Sequence, residues 1–290
     1  MIEKYLKIIN DSFVGYYNYL VNEIFTVSWH NYFWALIFIS LFVYTLELVK
    51  PWRKDQPKIR QDFWLDAFYM FFNFFILSLI GYNAISNVFV ALFNDFLALF
   101  GITNLVAISV ASLSPIYKLL IMFFLRDFIQ WNVHRLLHRF DFLWQFHKVH
   151  HSVKQMGFAA HLRYHWMETF VYRAIEYIPL AMIGFGLQDF FIVHIIALVI
   201  GHFNHANFKF YLGPFKYLLN NPEMHIWHHA KELPNKYGVN FGISLSLWDY
   251  IFKSNYIPYD GRDIELGFDD DDVFPKTFIT QEIYPLNKVK

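Results

Sequence analysis

Apolar residues recur at helical intervals from the first residues of this chain. In residues 1–28 an apolar side chain returns every three or four positions, with polar residues between. These positions are Ile2, Leu6, Ile9, Phe13, Tyr17, Leu20 and Ile24. The spacing predicts an amphipathic helix lying at a membrane interface. Asn10 and Asp11 interrupt the apolar run and no small-residue cleavage site follows, so we do not expect a signal peptide.

Long apolar runs then alternate with short polar segments. Residues 32–49 are long enough to cross a hydrocarbon core about 30 Å thick. The loop of residues 50–60 contains five Lys and Arg residues, which predicts that it faces the cytoplasm. We predict that residues 63–82 cross the membrane in the opposite direction. Residues 116–139, which follow Pro115 at the start of a helix, are predicted to form the next crossing.

Two other apolar regions are less regular. Residues 84–113 are broken by Asn, Asp and Gly, and we predict interfacial or re-entrant helices there, with an extra pair of crossings as the alternative. Residues 170–200 predict an apolar hairpin that turns at Gly184 and Gly186, each arm being short for a full crossing. With these crossings, every histidine group emerges on the side of the basic loop.

The pattern predicts an all-α integral membrane protein: a multi-pass transmembrane helix bundle with a cytoplasmic helical cap. We divide the chain into an amphipathic interfacial helix at 1–28, a bundle with its cap at 29–254, and a soluble C-terminal tail at 255–290. The acidic run of residues 269–272 is expected to be a solvated surface loop.

Composition supports the membrane prediction. The chain of 290 residues is 56% hydrophobic and only 17% charged, whereas soluble domains carry about a quarter charged residues. The formal net charge is zero, so nothing favours nucleic acid as a partner. The absence of cysteine excludes disulfides, thiolate metal sites, iron–sulfur clusters and a cysteine nucleophile.

Histidines supply the candidate chemistry. Thirteen of the 14 histidines lie between residues 134 and 229, and eight form three compact groups. The groups are His134 with His138; His147, His150 and His151; and His225, His228 and His229. On a helix, positions i, i+3 and i+4 share a face, and imidazole is the commonest metal ligand. Eight imidazoles exceed the needs of one four-coordinate ion, which predicts two metal ions, or one ion with spectator histidines. Such clustering disfavours the alternative interpretation, in which the histidines are scattered through the fold and only make ordinary hydrogen bonds.

Asp127 lies on the same helical stripe as His134 and His138. An ionisable group at membrane depth is usually functional, so we expect its carboxylate to accept an imidazole N–H. The alternative is an ion pair with Arg126 or Arg135. An all-imidazole ligand set suits Fe, Zn, Cu or Ni. The residue types alone also allow a hydrolytic zinc site in which Glu168 or Glu223 is the general base.

The ordered motifs resemble the fatty acid hydroxylase and sterol desaturase superfamily over roughly residues 120–254. Beside the histidine groups, the similarity includes Arg163-Tyr164-His165-x-x-Glu168, His205-Ala206-Asn207, Asn221-Pro222-x-x-His225, and Asn240-x-Gly242 with Trp248-Asp249-x-x-Phe252. The layout is most similar to bacterial sterol-desaturase-like proteins and alkylglycerol monooxygenase. Two departures are Lys253-Ser254 in place of a Gly-Thr pair, and the extra His161.

The resemblance implies a membrane non-haem di-iron oxygenase whose metal ligands are the eight grouped histidines. It adds His205, and less firmly His202 and His165, as further ligands. Asp127 and Glu168 are expected beside the ligands, and no residue outside the metal site is expected to be catalytic. No ligand role is expected for His30 or His194.

The implied reaction uses two iron ions, O2 and two external electrons to remove hydrogen from a lipid C–H bond. The product is an alcohol or, in the alternative, a double bond. Zinc can replace iron in imidazole sites of purified protein. The expected partners are a lipid substrate, the bilayer and a separate electron-transfer protein.

The sequence does not decide among sterol, acyl chain, ether lipid and carotenoid as substrate, nor does it give the oligomeric state. A different class, a histidine-rich membrane metal transporter, is disfavoured because its ligands are expected near the bilayer midplane. Bis-histidine haem binding is disfavoured by the dense grouping of the histidines.

Overall fold

Helices make up the regular structure of this protein. The computed structural model describes residues 2–28, 31–75, 86–102, 109–110, 112–185 and 187–288. These residues contain no β-strand, only isolated bridges between Leu219 and Leu245 and between Ala230 and Leu266. The predicted all-helical character is therefore confirmed for this part of the chain.

The α-helices follow one another in chain order. They are α1 (Ile2–Phe25), α2 (Tyr32–Val49), α3 (Phe63–Phe72), α4 (Ser86–Ala98), α5 (Pro115–Arg139), α6 (Asp141–His151), α7 (Trp166–Met182), α8 (Leu187–His205), α9 (Pro222–His228), α10 (Leu247–Ile251) and α11 (Phe278–Lys288). Short 3-10 turns cover Phe158–Leu162, Gly213–Tyr217 and Asp271–Val273.

Several predicted boundaries agree closely with these helices. The helix α2 has the predicted bounds, and α5 begins at Pro115, whose missing N–H is no loss in a first turn. The hairpin of α7 and α8 turns at Gly184, which has a φ of 82° that favours glycine. Residues 76–82 of the second predicted crossing, much of the 103–111 segment and Gly186 lie outside the described residues.

Among the described helices, α2 alone is long and apolar enough to cross a membrane by itself. Residues 189–205 form a shorter apolar helix. The helix α5 contains Lys118, Arg126, Asp127, Arg135 and Arg139, and it therefore fails the same criterion.

A bundle around α5 and α8 positions the histidine-bearing segments. The helix α5 packs against α6, α7 and α8, while α8 also packs against α2, α9 and the turn at Phe158–Leu162. Buried Arg126 of α5 binds Glu176 of α7, with 2.6 Å between Nε and Oε1. The C-terminal ends of α5, α6 and α8 therefore meet α9 in one place.

The C-terminal residues pack onto this assembly. Phe278 of α11 makes edge-to-face ring contacts with Phe68, Tyr69 and Phe72 of α3. In the acidic run, Asp271 is buried and pairs with Lys154 and Lys231, which differs from the expected solvated loop. The pairing partners lie far away in sequence, so local composition did not reveal them.

Candidate metal centre

The fold brings nine histidines into two adjoining groups. The first comprises His134, His138, His147, His151 and His228, and the second comprises His150, His205, His225 and His229. Within each group the candidate ligand atoms all lie within 4.8 Å of one another. Eight of the nine side chains are buried, and His138 is partly exposed. These nine residues are the eight grouped histidines of the sequence together with His205.

Helical geometry explains how the triplets divide. In an α-helix, position i+4 lies about 40° around the axis from position i, whereas i+3 lies about 60° to the other side. His147 and His151 therefore share one group, and His150 points to the other. In the same way, His225 and His229 share the second group while His228 joins the first. Each triplet thus contributes to both groups.

Backbone carbonyls fix the ring protons in the first group. The Nδ1 atom of His134 lies 2.8 Å from the carbonyl oxygen of Phe241, and that of His228 lies 2.8 Å from the carbonyl oxygen of Val239. Because a carbonyl oxygen only accepts hydrogen bonds, each Nδ1 must carry the proton. The Nε2 atom of each neutral ring therefore keeps its lone pair.

The same reasoning applies to the second group. The Nδ1 atoms of His150 and His205 donate to the carbonyl oxygens of Arg163 (3.2 Å) and Gly201 (2.8 Å). Their Nε2 atoms lie 3.3 Å apart, and the Nε2 atom of His225 lies 2.9 Å from that of His205. Two facing lone pairs repel unless a cation lies between them. The donor set therefore fits a bound metal ion, whose bonds to imidazole nitrogen are about 2.1 Å long.

The buried rings are held in the state that binds metal. Burial, reinforced by neighbouring imidazoles, lowers the pKa of His150, His151 and His229 well below the ordinary value. Burial lowers the pKa of His205 to about 3. At neutral pH these imidazoles are uncharged, which leaves a nitrogen lone pair available to a metal.

Glu168 lies beside the first group, as the sequence predicts. Its Oε2 atom is 2.7 Å from Nδ1 of His147, and both side chains are buried. The Nε2 atom of His147 then faces that of His134 at 3.1 Å. A carboxylate behind a metal-ligating imidazole fixes the ring and raises its basicity.

Asp127 has a different role from the one expected. Its carboxylate accepts hydrogen bonds from the backbone N–H groups of Ser244 (2.9 Å) and Leu245 (3.2 Å) and from Nε1 of Trp248 (2.9 Å). These donors take the place of the expected imidazole N–H. The two arginines have other partners, because Arg126 binds Glu176 and the Arg135 guanidinium lies over the Trp131 ring. Asp127 therefore holds the loop that carries the carbonyls of Val239 and Phe241.

Two further residues hold this loop, and the sequence motifs alone did not reveal their role. Asp249 accepts from the backbone N–H groups of Phe241 (2.9 Å) and Gly242 (2.7 Å) and from Nε1 of Trp131 (3.0 Å). Asn240 has a φ of 55° and exchanges hydrogen bonds with the backbone of Tyr256. A Cβ atom at Gly242 would collide with the carbonyl of Leu245. The signal was present in the Asn240-x-Gly242 and Trp248-Asp249 motifs.

Other predicted candidates lie outside the two groups. The ring nitrogens of His202 contact Ser40 Oγ (3.0 Å) and His161 Nδ1 (2.9 Å). His165 donates from Nε2 to the carbonyl oxygen of Glu282 at 2.8 Å. Glu223, a candidate base for hydrolysis, pairs with Lys209. His194 lies near Arg126, and His30 is outside the described residues.

Nine imidazoles in two adjoining groups, eight of them buried, give this protein a histidine-rich centre that could hold metal ions. Residues 119–254 match the family model described as fatty acid hydroxylase. The predicted resemblance to the fatty acid hydroxylase superfamily is confirmed, and this segment, with every grouped histidine, carries it.

Named relatives match over about the same length. The ornithine lipid hydroxylase OlsE of Rhizobium tropici is 30% identical over 141 residues, which are 49% of this chain and 42% of the relative. The alkylglycerol monooxygenase of Caenorhabditis elegans is 30% identical over 138 residues, or 45% of this chain and 25% of the relative. The human alkylglycerol monooxygenase is 30% identical over 129 residues, which are 43% of this chain and 28% of the relative. The matches therefore span less than half of each relative. No solved structure matches this chain.

Proposed function

We propose that this protein is a membrane-bound lipid hydroxylase that uses O2 at a non-haem di-iron site. The observation that carries this proposal is the pair of buried histidine groups whose Nε2 lone pairs face one another. The family match and the similarity to a lipid hydroxylase and to alkylglycerol monooxygenases favour hydroxylation over desaturation.

One iron ion would be held by the first group, of five histidines, and the other by the second group, of four. Bound iron would supply the redox chemistry, in which O2, two electrons and two protons convert a lipid C–H bond into C–OH and water. His202 and His165 are left with structural contacts in this assignment.

The chain itself would supply orientation and exclusion of water. The carbonyls of Gly201, Val239 and Phe241 hold the Nδ1 protons of three ligand rings, so each Nε2 stays directed at its group. Glu168 does the same for His147. Because these hydrogen bonds fix the histidine rings before a metal binds, the rings need little further ordering during the reaction.

The membrane setting is also part of the proposal. We propose an integral multi-pass protein with its metal site on the cytoplasmic face. The apolar helix α2 and the five basic residues of the 50–60 loop support this orientation. A lipid tail would then reach the histidine groups from within the bilayer, without passing through water.

A separate electron-transfer protein would deliver the two electrons. A surface groove containing Arg135, Arg139 and Lys253 lies beside the first histidine group, and all three of these cations are exposed. Gly238, which also lines this groove, packs against the His138 ring. We propose this basic groove as the docking surface of an acidic donor protein, because opposite charge accelerates and orients association.

Isotope labelling tests the reaction. Iron-loaded protein in lipid nanodiscs is given a bacterial lipid extract, a reductant and ¹⁸O2, and the lipids are analysed by mass spectrometry. A hydroxylated lipid with one ¹⁸O atom is expected. An unlabelled double bond would indicate desaturation from the same site. In a parallel reaction with unlabelled O2 and H2¹⁸O, a product that takes its label from water would indicate hydrolysis and contradict an oxygenase.

A further inference from the structure

A cavity of about 140 Å³ adjoins the histidine groups. Its walls come from α2, α3, α5, α7 and α8, and they are largely apolar. A smaller pocket lies among the histidines of both groups. Both spaces are lined by His161, Tyr164, Tyr172 and Ile243. The cavity is therefore the interior space next to the proposed site of oxidation, and it can hold a group about the size of benzene.

One wall of this cavity is polar and electrically balanced. Arg126 donates from Nε to Glu176 at 2.6 Å, and Gln130 donates from Nε2 to the other carboxylate oxygen at 2.8 Å. Among the described residues that line the cavity, Arg126 is the single Lys or Arg, and it is already paired. The cavity therefore offers no unpaired cation for a phosphate group.

Two residues that line the same cavity each carry a side-chain oxygen that lacks a hydrogen-bond donor among the described residues. These oxygens are Oε1 of Gln130 and Oδ1 of Asn73, and both residues are more than nine-tenths buried. The amide orientations are fixed by their nitrogens, because Gln130 donates to Glu176 and Asn73 donates to the carbonyl oxygens of Leu162 and Tyr164. Turning either amide over would place oxygen against oxygen. Each residue therefore has a buried acceptor oxygen without a donor.

Gln130 also has a fixed relation to the metal site. It precedes His134 by four residues on α5, so the two side chains lie on the same face, about 6 Å apart along the helix axis. A group bound at Gln130 would therefore lie close to the first histidine group.

We propose that this cavity binds the polar end of an uncharged lipid through a hydroxyl or amide N–H group, which Gln130 and Asn73 accept. This inference rests on the proposed function and specifies its substrate class. A phosphorylated headgroup is excluded because its charge would be buried without a free cation. A lipid without a donor would leave both buried oxygens unpaired, which is how polar sites reject such analogues.

Binding of three probes tests the proposal without requiring turnover. They are a long-chain primary alcohol, its methyl ether and its phosphate monoester, all with the same chain length. Each competes with radiolabelled alcohol for iron-loaded protein in mild detergent. The wild type is expected to bind the alcohol about tenfold more tightly than the methyl ether, and the phosphate ester more weakly than the alcohol. A matching N-alkyl amide distinguishes an N–H donor from a hydroxyl donor.

Gln130→Met and Asn73→Leu should each remove most of the preference for the alcohol over the ether. The matched control is Asn132→Leu, two residues away on α5, whose amide donates only to the carbonyl oxygen of Phe128 in its own helix. This control should keep the tenfold preference. Iron content is measured for every variant. Asn73→Leu serves as the test if Gln130→Met does not fold.

The outcomes separate this inference from the proposed function. Equal affinity of the wild type for alcohol and ether, or tightest binding of the phosphate ester, would overturn the inference even with iron fully bound. Retention of the preference in the folded Gln130 and Asn73 variants would also overturn it. Absence of iron from the wild type would instead count against the proposed function.

Discussion

The Nε2 atoms of His150 and His205 lie 3.3 Å apart, and the proton of each ring is committed to a backbone carbonyl at Nδ1. Two buried lone pairs at this distance gain nothing from each other. His150 comes from α6 and His205 from the end of α8, so the arrangement depends on packing of distant segments. A single cation bound by both Nε2 atoms would account for this arrangement.

The two histidine groups should hold metal separately. We expect roughly two iron ions per wild-type chain, with His150→Ala and His228→Ala each losing about one, because these residues belong to different groups. His165→Ala is the matched control and should keep both, since its ring contacts the Glu282 carbonyl instead. Elemental analysis of detergent-purified protein measures the content. Unchanged iron in both ligand variants would contradict the assignment.

Replacing Glu168 with Gln should weaken metal binding without preventing folding. The loss of the carboxylate at His147 Nδ1 removes the charge that orients the ring and raises its basicity. Changes of this kind typically cost about 10–100-fold in metal affinity. Glu223→Gln is the control, because Glu223 pairs with Lys209 away from both groups. Competition with a chelator gives both affinities, and an equal effect of the two changes would refute the special role of Glu168.

Asp127→Asn should loosen the loop behind His134 and His228. The amide replaces one acceptor oxygen by a donor that faces the N–H groups of Ser244 and Leu245. A buried donor left unsatisfied costs about 1–3 kcal/mol, so we expect a lower melting temperature together with partial loss of iron. Exposed Asp269→Asn should change neither quantity. Thermal unfolding with and without iron separates the effect on the loop from that on the metal.

The basic groove should matter only when a protein supplies electrons. We expect Arg139→Glu combined with Lys253→Glu to lower the rate supported by an acidic plant-type ferredoxin about tenfold at low salt. The rate with dithionite and the iron content should not change. Exposed Lys276→Glu controls for a general change of charge. Equal loss with both reductants would place the damage at the metal site.

Glu282 should make the protein less stable as pH rises. Burial raises the pKa of this carboxyl to about 7, from an ordinary value near 4.5. Between these values the unfolded chain releases the proton while the folded chain keeps it, so stability falls with rising pH until about pH 7. Glu282→Gln should therefore stabilise the protein by about 1–3 kcal/mol at pH 8 and little at pH 4.

Exposed Glu265→Gln is the control for this pH dependence. Chemical unfolding of the protein at pH 4, 6 and 8 measures the difference between each variant and the wild type. A stabilisation by Glu282→Gln that does not change with pH would show that the pKa of this carboxyl is the same in the folded and the unfolded protein, and it would contradict the prediction.

The sequence by itself determined the local features of this protein. The continuous apolar run of residues 32–49 predicted the bounds of α2, and Pro115 predicted the start of α5, because proline is favoured in the first turn of a helix. Helical periodicity also placed the histidines of each triplet on one face. The motif Arg163-Tyr164-His165-x-x-Glu168 also predicted Glu168 beside the grouped histidines, and its carboxylate contacts His147.

Only the tertiary structure decided how these local features combine. It divided the triplets between two groups, and it placed His205 in one of them while His202, also on α8, contacts Ser40 instead. It also showed that Asp127 accepts hydrogen bonds from the backbone of residues 244–245. It also supplied the carbonyls of Arg163, Val239 and Phe241 as hydrogen-bond partners of the grouped histidine rings. These contacts join residues far apart in the chain, and a backbone carbonyl leaves no mark in a sequence. Helical periodicity is local, whereas the choice of a hydrogen-bond partner depends on how distant segments pack.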